Sequence, residues 1–154
     1  MALHYGDASA VVKRYVPETG SAWIHRVFVQ DQVSFCQQTI AEVASALARR
    51  SREGSITQGE RDAAFLSFLR DLDDYAVTPV TEELVLEASG LVLSVPTPLT
   101  LRAADALHIA SAQRVFERLR TERLPAGRFL TADMSLAAAA RWAGLPVANP
   151  EDYQ

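Results

Sequence analysis

Five short apolar runs, all but the last followed by one or two stretches of helical periodicity, set the tightest limit on what this 154-residue chain can become. Leu3–Asp7, Val33–Cys36, Tyr75–Val80, Arg128–Thr131 and Pro146–Ala148 read as strands. Between them, Ala8–Tyr15, Ser21–Gln30, Thr39–Arg50, Thr57–Asp74, Glu82–Leu93, Leu101–Arg123 and Met134–Ala143 read as helices, the third and fourth forming a hairpin. Parallel neighbours need long crossovers, and helical crossovers cover the faces of a sheet. The pattern predicts one α/β/α sandwich over residues 1–154, with a central, mostly parallel sheet of about four to five short strands. A chain of this length buries a full core without a second domain.

Leu101–Ala112 (LRAADALHIASA) places Leu101, Ala104, Asp105, His108, Ile109 and Ala112 on one helical face. A carboxylate inside an apolar stripe needs a partner, because an ionised group left unpaired in a low dielectric costs several kcal/mol, roughly. Three further acids stand where they could meet it. Asp7 and Asp133 end strands, and in a parallel sheet those ends open on one edge, where ligands bind. Glu42, like Asp105, lies near the start of a helix that follows a strand or loop at that edge. An all-carboxylate set suits a hard divalent cation, and no Cys/His cluster offers a softer site. Local roles stay open beside this one. Asp7 and Asp133 suit helix N-caps, Glu42 stands three residues after Thr39 at capping-box spacing, and His108 suits the core or the shell behind a site. Ser9 and Thr131 read as caps or hydrogen-bonding neighbours of the pocket.

Composition narrows the partners. A net charge of −4 excludes a protein that coats nucleic acid through surplus cations, but not a nuclease whose acids work through metal ions. The fifteen basic residues are Lys13 and fourteen Arg, a side chain suited to bidentate contacts with phosphate. Arg49, Arg50 and Arg52, or Lys13 and Arg14, are candidates to guide an RNA backbone, and equally suit ordinary solvated charges. The single Cys36, among apolar neighbours, excludes an intramolecular disulfide and fits a reducing compartment. No run reaches the roughly 18 apolar residues a membrane span needs, and no signal peptide is recognisable, so a cytoplasmic protein is expected.

The segments YGDASAVVKRYVPETG, TIAEVASALARR, LRAADALHIASA and FLTADMSLAAAARWAGLPV, in this order and spacing, resemble the four acidic motifs of the PIN-domain family, in particular VapC-type toxins of bacterial toxin–antitoxin pairs. The resemblance runs from near Tyr5 to Tyr153. It implies a Mg²⁺- or Mn²⁺-dependent endoribonuclease, commonly a homodimer, held inactive by a cognate antitoxin. Matched motif by motif, Asp7, Glu42, Asp105 and Asp133 take the places of the family's acidic residues, with Asp7, Asp105 and Glu42 as metal ligands and Asp133 at the most variable position. Gly6 departs from the bulky apolar residue usual before the first acid, which predicts a looser first strand. The apolar faces of the Thr39–Asp74 hairpin are candidates for the antitoxin groove and equally suit plain core. Two rivals remain. A phospho-receiver domain needs paired acids after the first strand and a late Lys, where this chain has Ser9 and only Lys13. A non-catalytic domain would keep the fold and bind only a partner.

Overall fold

The structure is a computed structural model and describes residues 1–153. Its strands are β1 (Leu3–Gly6), β2 (Gln32–Cys36), β3 (Ala76–Thr78), β4 (Ala126–Leu130) and β5 (Val147–Ala148). Its helices are α1 (Ala8–Val11), α2 (Ser21–Gln30), α3 (Thr39–Arg52), α4 (Gln58–Arg70), α5 (Glu82–Ser94), α6 (Ala103–Glu122) and α7 (Met134–Trp142). The strands form one sheet in the order β3-β2-β1-β4-β5, every pairing parallel.

Period-two alternation assigns the faces. Val33, Phe35, Leu130 and Ala148 point to one side, where they pack with Val11 of α1, Ile24 and Val27 of α2, Val43 and Leu47 of α3 and Phe68 of α4. Tyr5, Cys36 and Phe129 point to the other side, against Leu84 of α5, Ile109 of α6 and Leu136 of α7. Each fully buried large side chain contributes about 1.5–3 kcal/mol, so both faces of the sheet are anchored. The chain leaves β1 for the first face and β4 for the second. A crevice therefore opens between the C-terminal ends of β1 and β4, the switch point at which doubly wound sheets bind ligands.

Several elements differ from the expectations of periodicity. The run after Asp7 is α-helical only to Val11 and continues as a 3₁₀ turn, Val12–Arg14, because Pro17 disfavours helical backbone just before it. Thr57 caps α4 instead of starting it, in a capping box with Glu60, and Leu72–Asp74 is a separate 3₁₀ turn. Leu101 and Arg102 precede α6. The hairpin's apolar residues Val43, Leu47, Ala64 and Phe68 are buried in the core, so of the two readings of these faces they take that of core.

Gly6 does not loosen β1. It pairs with Leu130, and a Cβ there would lie 3.2 Å from Val11 Cγ2, so the glycine lets α1 close over the strand. One bulge adjusts the register, since Leu3 faces Ala126 whereas Tyr5 faces Phe129. The extra residue fits because Gly127 lies against the His4 ring, whose Nδ1 accepts from the Arg128 amide at 3.0 Å. The shift stacks Phe129 on Tyr5, with ring centroids 5.4 Å apart.

Candidate active site

Asp7 lies directly beyond β1 and caps α1. Its Oδ1 accepts from the Ala10 amide at 3.0 Å and from Ser9 Oγ at 2.7 Å, and its Oδ2 accepts from Thr131 Oγ1 at 2.8 Å. These donors are all neutral, and the residue is only 5% exposed. Burial raises its pKa above the ordinary carboxylate value, an effect the nearby His108 charge and the Ser9 and Thr131 hydroxyls only partly offset. The same two hydroxyls tie Asp7 to the end of β4, for Ser9 Oγ accepts from the Ala132 amide at 2.8 Å and Thr131 Oγ1 from the Asp133 amide at 3.1 Å.

Glu42 lies in the first turn of α3, yet the capping box with Thr39 does not form. The N-cap position falls one residue earlier, at Gln38, whose side chain makes no capping hydrogen bond, so Thr39 is already inside the helix, with its buried hydroxyl lacking a hydrogen-bond partner. Glu42 Oε2 instead meets His108 Nε2 at 2.7 Å. His108 is buried, and its Nδ1 lies 3.1 Å from the Tyr5 hydroxyl. Burial works against a charged imidazole, but the Glu42 hydrogen bond and the charges of Glu42, Asp7 and Asp105 outweigh it and raise the His108 pKa.

Asp105 stands at the rim of the crevice and not within the core stripe, its side chain 16% exposed. Ala104 beside it is exposed, whereas Ala106 and His108 to Ala112 are buried, so burial begins only after the first turn of α6. Arg102 Nε donates to Asp105 Oδ2 at 3.1 Å, and Arg102 Nη2 comes within 3.9 Å of Asp133 Oδ2. Asp133 caps α7 through Oδ1, which accepts from the Ser135 and Leu136 amides. Asp7, Glu42 and Asp105 thus lie within electrostatic reach of His108, and Asp105 and Asp133 within reach of Arg102. Among the described residues, no three His, Cys, Asp or Glu side chains stand close enough to form a ready cation cage, since each acid is turned to its own partner.

Three of the candidate RNA guides are committed elsewhere. Lys13 is buried and bonded to Glu18, Glu151 and the Thr19 carbonyl, Arg50 pairs with Glu18, and Arg14 donates to Asp71. Arg49 and Arg52 are exposed. Arg102 and Tyr5 are the site neighbours that sequence reasoning missed. The three-residue spacing of Arg102 and Asp105 was the available signal, as was the alternation that turns Tyr5 toward α6.

The PIN domain model matches residues 5–141. Ribonuclease VapC46 of Mycobacterium tuberculosis is 31% identical over 97% of this chain and 99% of its own length. This chain belongs to the PIN domain family. The fold of the PIN domain is also that of solved VapC structures. The crystal structure of Mycobacterium tuberculosis VapC20, a sarcin–ricin loop cleaving toxin, superposes with a TM-score of 0.61 at 17% identity, over 88% of this chain and 94% of that one. VapBC2 from Rickettsia felis, bound to a DNA fragment of its promoter, gives 0.59 at 11% identity, over 96% of this chain and 98% of that one. In this PIN domain the acid-bearing crevice falls at the switch point of the sheet. Among the described residues no helix is long and apolar enough to cross a membrane.

Proposed function

We propose that this PIN domain is a Mg²⁺- or Mn²⁺-dependent endoribonuclease, the toxin of a toxin–antitoxin pair acting on RNA in the cytoplasm. The observation that carries the reading is Asp7, a buried carboxylate with only neutral donors, in a crevice with three more acids and in a chain similar along its whole length to a protein named a ribonuclease. An all-oxygen donor set around a buried carboxylate whose direct hydrogen-bond donors are all neutral fits a hard divalent cation. Asp7, Asp105 and Glu42 would hold it, and Asp133, half committed to capping α7, would face the crevice through Oδ2. The bound ion supplies Lewis-acid polarisation of the scissile phosphate and lowers the pKa of a water. The chain supplies position. Ser9 and Thr131 keep Asp7 at the strand ends, and His108, buried between Tyr5 and Glu42, orients the Glu42 carboxylate.

A VapB-like antitoxin as partner rests on the likeness to a VapBC complex. A homodimer is supported by α5, whose outward Leu86 and Leu93 are 65% and 89% exposed on either side of Gly90, where a Cβ would meet nothing within 4 Å. The activity is tested with RNA and the purified chain, native and Asp7→Asn, with and without EDTA. Cleavage that leaves 5′-phosphate ends, and that EDTA and the substitution both abolish, supports the reading. EDTA-resistant cleavage giving 2′,3′-cyclic ends overturns it.

A further inference from the structure

We propose that Arg102 is a built-in counter-cation that competes with a divalent ion for Asp105 and, once displaced, binds a phosphate of the RNA beside the scissile bond. The inference rests on the ribonuclease reading and names a residue of the same site. Arg102 sits at the N-cap of α6 in extended backbone, so its side chain is not held by the helix. That side chain is 78% exposed, yet the guanidinium is folded back onto Asp105 at 3.1 Å and toward Asp133 at 3.9 Å. A long exposed side chain has many other rotamers, and the acids in the crevice select this one.

The oxygen that accepts from Arg102, Asp105 Oδ2, belongs to one of the carboxylates proposed to hold the cation. A guanidinium and a divalent ion on one carboxylate repel each other, so binding of the ion turns Arg102 outward. RNA then needs it. A polyanion approaching a chain of net charge −4 at a crevice with four carboxylates meets repulsion, and Lys13, Arg14 and Arg50 are already paired with acids of their own. Arg102 is exposed, lies at the mouth, and carries the planar fork that matches a phosphate. One side chain thus offsets the repulsion among the acids before the ion binds and offsets their repulsion of substrate afterwards.

The test combines two readouts on the native chain, Arg102→Gln, Arg102→Lys and Asp105→Asn. The first is Mn²⁺ affinity by titration calorimetry. The second is binding of a fluorescent single-stranded RNA oligonucleotide across a salt series, with Ca²⁺ in place of Mg²⁺. The expected result has opposite signs. Arg102→Gln binds Mn²⁺ about three-fold more tightly, the scale set by an exposed ion pair. The same variant binds RNA roughly five-fold more weakly, with the salt slope reduced by about one phosphate contact. Arg102→Lys, which keeps the charge, returns Mn²⁺ affinity close to native. Mn²⁺ affinity unchanged or weakened in Arg102→Gln, or an unchanged salt slope, overturns the proposal while leaving the ribonuclease reading intact. A native chain that binds no Mn²⁺, or an Asp105→Asn chain that binds it as well as native, overturns the ribonuclease reading itself and the proposal with it.

Discussion

Thr131→Val deletes one hydroxyl at the centre of the crevice while keeping the β-branched shape of a fully buried side chain. The hydroxyl donates to the buried Asp7 carboxylate at 2.8 Å and accepts from the Asp133 amide at 3.1 Å. A hydrogen bond to a charged group is worth about 1.5–3 kcal/mol, and a neutral one about 1 kcal/mol. Together they predict a loss of about 3 kcal/mol, or about 6–12 °C in Tm for a domain of this size. The hydroxyl also lowers the Asp7 pKa, so its removal pushes that carboxyl further from ionisation and weakens its hold on a cation. The assay is urea unfolding followed by circular dichroism in EDTA, with Thr131→Ser as control. Serine keeps the donor and loses one buried methyl group, at about 1 kcal/mol. A valine variant within about 0.5 kcal/mol of native, or a serine variant no more stable than the valine one, refutes the assignment of Thr131 as the group that holds Asp7.

Two further outcomes follow from the opposite end of the sheet. The Ala2 amide donates to Asp31 at 2.7 Å and, with His4 beside it, lowers the Asp31 pKa. A carboxylate depressed in the folded state adds stability above its unfolded value, about 3.9, and loses it as pH falls through the native value. The Tm difference between native and Asp31→Asn should therefore be constant above about pH 5 and shrink as pH falls below the unfolded value of about 3.9; a difference independent of pH contradicts this. At Gly127 an added Cβ would lie 2.7 Å from the His4 ring and 2.9 Å from the Leu3 carbonyl oxygen. Gly127→Ala should cost about 2 kcal/mol in urea unfolding, and a loss under about 0.5 kcal/mol shows that the bulge relaxes around it.

Local periodicity sufficed to order the elements because it records which residues one helix or strand buries, and burial is imposed over a few residues at a time. The alternation at Val33–Cys36, the caps at Asp7 and Asp133 and the stop after Trp142 at Gly144, in left-handed backbone, are all signals of this kind. Element ends were less legible. Leu101 and Arg102 carry the helical pattern yet stay outside α6, and Thr39, at capping-box spacing, lies inside α3 and caps nothing. Spacing measures where a cap could act, whereas packing against neighbouring elements sets where the helix begins.

Residue order is enough to assign the α/β class, the succession of strands and helices, and the presence of four acids at strand ends and helix starts. Tertiary structure alone decided which partner each charge takes: Glu42 faces His108, Asp105 is held by Arg102, and Lys13 is drawn into the core by Glu18 and by Glu151, 138 positions away. The cause is the strand order. Only when β4 returns to pair beside β1 do Asp7 and Thr131, 124 residues apart, meet across one crevice, and no local pattern carries information about a contact closed over so long a loop.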